Sequence, residues 1–164
     1  MESKAFEIKA AITTTLGVAG TFLGWKALLL LIWVCAMVLD YITGSAAAHK
    51  NGEWDSGVAR EGLFHKGGMI AIVLLSMLFD ACLAIVAIRL PVLHVSWPGV
   101  IFPVVLAWYI ITEAGSILEN AIKMGAPAPE WLAKGLKVTL KAVDKAGDEA
   151  VSKLDAERTE EGKP

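Results

Sequence analysis

Residues 27–44, ALLLLIWVCAMVLDYITG, decide the fold: the run is apolar almost throughout, and its one charge, Asp40, comes near the far end. An α-helix rises ~1.5 Å per residue and the hydrocarbon core of a bilayer is ~30 Å thick, so about 20 mostly apolar residues cross it. This run is a little short of that and is the most hydrophobic of three comparable segments. Gly67–Ile88 is long enough, and Leu90–Thr112 carries no charge at all. Composition agrees with a lipid environment: 55% of the 164 residues are hydrophobic and the mean hydropathy is +0.57, more apolar than an ordinary soluble domain. Strictly between Lys66 and Glu119, only Asp80, Arg89 and Glu113 are charged.

The third segment is interrupted by Pro91, Pro98 and Pro103. Each removes a backbone donor, so the span is expected to start near Trp97–Gly99 and run to about Leu118, with His94 and Ser96 in a short loop after Arg89. Ahead of the first span, residues 10–25 (AAITTTLGVAGTFLGW) form a fourth uncharged run. Its weak hydrophobicity favours an interfacial or marginally inserted helix over a short fourth span. Lys4 and Lys9 precede it as in a signal peptide, but Gly20-Thr21-Phe22 is a poor cleavage site and no cleavage is expected. The expectation is an all-α integral membrane protein in three parts. Residues 1–26 are the N-terminal segment, 27–119 hold spans at about 27–44, 67–88 and 98–118, and 120–164 form a tail.

In the tail, Gly125-Ala126-Pro127-Ala128-Pro129 breaks the chain. Leu132, Leu136, Leu140 and Val143 then recur at helical spacing among charged residues, which predicts an amphipathic helix over about 130–155 and disorder over 157–164. Residues 120–164 hold eight Lys/Arg and eight Asp/Glu. Basic segments stay on the cytoplasmic side, so the loop 45–66, with Lys50, Arg60 and Lys66, and the tail are both expected in the cytoplasm. Three spans then place the segment before residue 27 outside; a fourth would return Lys4 and Lys9 to the cytoplasm.

A charge at the bilayer centre costs about 2.5–3.5 kcal/mol on insertion scales, so the acids of the spans need partners or water. Asp80 falls near mid-span, as a contact between subunits, a pore-lining group, or a hydrogen-bonded acid that holds the bundle together. Asp40 and Glu113 fall nearer the cytoplasmic ends, as functional groups or as solvated or locally paired acids. The small residues of Gly44–Ala48 and of Ala114-Gly115-Ser116 let helices approach closely, within one subunit or between subunits. Cys35 and Cys82 lie inside apolar runs, where packing is expected rather than a disulfide. His49, His65 and His94 have no metal-ligand spacing, and no phosphate loop or nucleophile-base pair is present, so neither catalysis nor a cofactor is expected. The balanced charge of the tail gives no basic footprint for nucleic acid.

Two ordered motifs add a resemblance. Asp40-Tyr41-Ile42-Thr43-Gly44, followed by Ser56-Gly57, Gly62-Leu63 and Lys66, resembles the first signature of the toxin-secretion/phage-lysis holin family. Glu113-Ala114-Gly115-Ser116-Ile117-Leu118-Glu119-Asn120, followed by Gly125, Pro127, Pro129 and Leu132, is similar to its second. The likeness spans about residues 28–140, and departs from the family at Ala114-Gly115 and at Ala128. It implies a non-enzymatic protein of the bacterial inner membrane that self-associates and opens lesions releasing an endolysin, without required contact with it. Toxin export is the alternative within the family, and a small ion or solute channel the alternative outside it. Asp40, Gly44, Asp80, Glu113, Ser116, Glu119 and Asn120 are the candidates for oligomerisation or pore contacts.

Overall fold

A computed structural model describes residues 24–90 and 97–160, with scattered positions between Lys4 and Thr21. The run over 10–25 and the loop holding His94 and Ser96 therefore fall largely or wholly outside the described residues. The helices bounded within the continuously described residues are, in order, α1 Trp25–Asn51, α2 Ser56–Arg89, α3 Ile101–Lys123 and α4 Glu130–Glu160. No strand occurs among the described residues. Helices α1, α2 and α3 are each long and apolar enough to cross a membrane.

The helices outrun the hydropathy windows because caps, not apolarity, set their ends. Helix α1 continues to Asn51 and stops at Gly52, whose φ of 71° is left-handed. There Glu53 N–H returns to the Ala48 carbonyl at 2.9 Å, a Schellman-type closure that only a residue tolerant of positive φ makes cheaply. The loop expected over 45–66 accordingly shrinks to Gly52–Asp55. At the other corner, Gly125 has φ 91° and Ala126 N–H returns to the Ala121 carbonyl at 3.0 Å. Lys50 Nζ donates to the Met124 carbonyl from the end of α1.

Packing follows a 3.5-residue seam, the pattern of left-handed helix packing. On α1 the covered positions include Lys26, Leu30, Trp33, Met37, Asp40, Gly44 and Ala47; on α2 they include Lys66, Met69, Val73, Ser76 and Asp80. On α3 Phe102, Leu106, Tyr109 and Glu113 are buried. Trp33, Met69, Val73, Phe102, Leu106 and Tyr109 make one core, in which the Trp33 and Tyr109 rings lie 6.0 Å apart. Trp33 Nε1 has no hydrogen-bond partner among the described residues. The outer faces of α1 and α2 stay apolar, with Val38, Ile42, Ile72, Leu75, Leu78 and Phe79 exposed. Cys35 and Cys82 are also exposed, so neither packs the core as expected; both sit off the seam, among the outward apolar residues.

Helix α3 is central, contacting each of the other three. The tail helix, which extends to Glu160, past the expected onset of disorder at 157, does not project away. It folds back antiparallel along α3, because its stripe of Leu132, Leu136, Leu140 and Val143 needs an apolar partner and α3 has one face uncovered by α1 and α2.

Candidate functional site: two buried polar layers

The seam carries polar groups at two levels. Fourteen residues separate Lys26 from Asp40 on α1, and fourteen separate Lys66 from Asp80 on α2, which is ~21 Å of helix at ~1.5 Å per residue. Because α1 and α2 run in opposite directions, Asp40 meets Lys66 at one end and Lys26 approaches Asp80 at the other. The apolar core lies between.

The first layer joins three helices through one ammonium group. Lys66 Nζ donates to Asp40 Oδ2 at 3.0 Å and to both Glu113 carboxylate oxygens at 3.0 and 2.9 Å. Glu113 is 3% exposed. Asn120 Nδ2 donates to the second Asp40 oxygen at 3.1 Å and to Thr43 Oγ1 at 3.4 Å, while the Thr43 hydroxyl donates back to the Leu39 and Asp40 carbonyls. Gly44 faces Asn120 closely: a Cβ there would touch Nδ2 at 3.4 Å. A cavity of about 220 Å³ between α1 and α2, lined by Gly44, Ala48, Trp54 and Gly62, opens onto Asp40 and Lys66. Desolvating three charges is costly, and the Coulomb and hydrogen-bond return depends on this one geometry, so the network specifies register more than it adds stability.

The second layer is a helix cap supplied by a neighbouring helix. Asp80, 7% exposed, accepts from Trp97 Nε1 at 2.9 Å, Ile101 N–H at 3.1 Å and Phe102 N–H at 2.9 Å. These amides open α3, where unpaired donors and the helix dipole favour a negative charge. Lys26 Nζ donates to the Gly99 carbonyl at 2.6 Å. Glycine at 99 suits a φ of 69°, and a Cβ there would sit 2.9 Å from Lys26 Nζ, so the lysine head would have to shift. The helix begins at Ile101, slightly later than expected, because its first turn is built on Asp80 rather than on the prolines.

Asp40, Gly44, Glu113 and Asn120 thus converge on one layer and Asp80 stands in the other. Asp40 and Glu113 pair with Lys66 inside the bundle, and Asp80 accepts hydrogen bonds from Trp97 and the first amides of α3. Ser116 and Glu119 point elsewhere, lining the α3–α4 contact with Thr112 and Leu136. Lys66, expected like Lys50 as a loop charge, is the hub of the first layer; Thr43 enters the sequence reading only as part of the first motif, and Lys26 has no role in it. The shared fourteen-residue spacing of cation and acid on α1 and α2 was the signal for Lys66 and Lys26.

Both layers fall inside a single family match. Residues 17–141 match the bacteriophage holin family. The chain belongs to that family. Holins of this family are a membrane pore-forming, non-enzymatic class, and every residue of the two layers lies within the matched span. Relatives include an uncharacterized protein of Halalkalibacterium halodurans, 33% identical over 124 residues, covering 75% of this chain and 87% of the relative. An uncharacterized protein of Listeria innocua is 33% identical over 132 residues, covering 80% and 84%. An uncharacterized 14.9 kDa protein in the nagH 3' region of Clostridium perfringens is 32% identical over 100 residues, covering 60% and 67%. No solved structure matches this holin-family chain.

Proposed function

We propose that this chain acts as a holin: copies accumulate in the bacterial cytoplasmic membrane, associate, and open lesions through which a cell-wall-degrading endolysin reaches its substrate. The observation that carries the reading is the coincidence of the family match with three apolar helices tied by the motif residues themselves. The first layer is made from both motifs, Asp40, Thr43, Gly44 and Lys66 from one, Glu113 and Asn120 from the other. In this reading Asp40, Asp80, Glu113 and Asn120 influence assembly by fixing the shape of each subunit. The distribution of Lys and Arg orients the Gly52–Asp55 loop toward the cytoplasm and the start of α1 outward.

Inducible expression in bacteria with a co-expressed endolysin tests this. Membrane potential is expected to collapse and the culture to clear. Potential that survives high-level expression, with endolysin trapped inside, overturns the proposal.

A further inference from the structure

One side of the subunit is built for lipid and the opposite side is not. Helix α4 ascends α3 through nearly its whole length. Leu136 and Leu140 lie against Ile111, Thr112 and Ser116, Trp108 Nε1 donates to Asp144 Oδ1 at 2.8 Å, and Gly147 faces Val104, whose Cγ1 would lie 3.6 Å from a Cβ at 147. Val104 is within the first turn of α3, so α4 reaches the level of the Asp80 cap. Val104, Trp108 and Ile111 lie on the face turned away from Phe102, Leu106, Tyr109 and Glu113, since two residues round a helix is about 200°, and Thr112 and Ser116 lie on the flank between the two faces.

The outward face of α4 carries a row of charges along that depth, with Trp131 and Val138 exposed beside them. Lys134, Lys137, Lys141, Lys145 and Asp148 are all exposed. Lys134 pairs with Glu130 and Lys145 with Glu149 only at 3.6 Å, with the lysine side chains 77% and 78% exposed. Hydrocarbon would leave these charges without solvation. Across α3, the outer faces of α1 and α2 are apolar and suit lipid. A unit with an apolar side, a charged side and a span-length helix between them has the form of a wall segment between bilayer and water.

We propose that α4, packed on α3, lines the water-filled lumen of the assembled lesion, each copy turning α1 and α2 to lipid and the α4 lysines to water. This rests on the lesion-forming reading above, and other copies of the chain complete the wall. The packed α3–α4 hairpin is then the open arrangement. The contrary arrangement has α4 covering α3 until it detaches and frees that face for another copy.

A disulfide separates them. Full-length protein with Cys35→Ala and Cys82→Ala receives Val104→Cys and Gly147→Cys, a pair chosen because a Cβ at 147 would lie 3.6 Å from the Val104 Cγ1 position. It is reconstituted in vesicles of phosphatidylethanolamine and phosphatidylglycerol loaded with a fluorescent dye. The bridge is expected to form in the vesicles, and the bridged protein to release dye as the cysteine-free background does. Bridged protein that is silent until a reductant opens the bridge overturns the lumen assignment, as does failure of the bridge to form in inserted protein. Failure of the cysteine-free background to release dye counts against the lesion reading itself. Lys141→Glu with Lys145→Glu provides a second readout: ion selectivity of the bridged form is expected to shift from anions toward cations, and unchanged selectivity overturns the assignment.

Discussion

Lys66→Leu is expected to destabilise the three-span bundle by about 3–5 kcal/mol, the range for removing one partner of a buried ion pair. Lys66 is the only cation bonded to Asp40 and Glu113 among the described residues, and it touches three of their four carboxylate oxygens. Leucine leaves two acids facing each other in a layer where Glu113 is almost fully covered. Asn120 Nδ2 still serves Asp40, but nothing replaces the donor to Glu113. Unfolding in detergent, followed by tryptophan fluorescence, should show the loss, and membrane accumulation should fall with it. Adding Glu113→Leu should restore most of the stability, because the orphaned acid is then gone. A double variant no more stable than the single one would show that the charges do not act as a pair.

Asp80→Leu is expected to have the second largest effect, about 2–4 kcal/mol, taking about 1–3 kcal/mol for each buried group left without a partner and allowing water to reach Trp97. The substitution orphans Trp97 Nε1 and the first amides of α3 together. Asp80→Asn keeps an acceptor and loses the charge facing the helix dipole, so it should cost less, about 0.5–1 kcal/mol. Hydrogen exchange locates the effect. Protection should fall at Ile101 and Phe102 and persist near Asn120. Uniform loss along α3 would mean that Asp80 supports the bundle generally rather than capping one helix.

What the chain reveals before folding follows from which forces are local. Three spans are legible because hydropathy acts residue by residue, and the amphipathic α4 is legible because Leu132, Leu136, Leu140 and Val143 repeat at helical spacing. Helix ends are less so: Asn51 and Ile101 are set by Gly52, Gly99 and a carboxylate from another helix, none of which changes the hydropathy of the run. Lys66 reads as a boundary charge because a lysine beside an apolar segment lowers its hydropathy whether it faces water or two acids. Its role shows only when the 3.5-residue seam places Lys66, Val73 and Asp80 on one face, antiparallel to Lys26, Trp33 and Asp40. The apolar outer faces of α1 and α2 hide that seam, since a lipid-facing helix is apolar all round. The resting place of α4 has no sequence signal. An apolar stripe calls for a partner without naming it, and Trp108 to Asp144 is a contact that only the folded hairpin creates.

Lesion formation large enough to pass a folded enzyme is the claim on which the account turns, and co-release from vesicles tests it most directly. Vesicles holding both a small fluorescent ion and a folded reporter enzyme are exposed to the purified wild-type chain. The account predicts that both cargoes leave together as copies accumulate, and that Lys66→Leu releases neither. Selective passage of the ion with the enzyme fully retained, at every protein density reached, would contradict it.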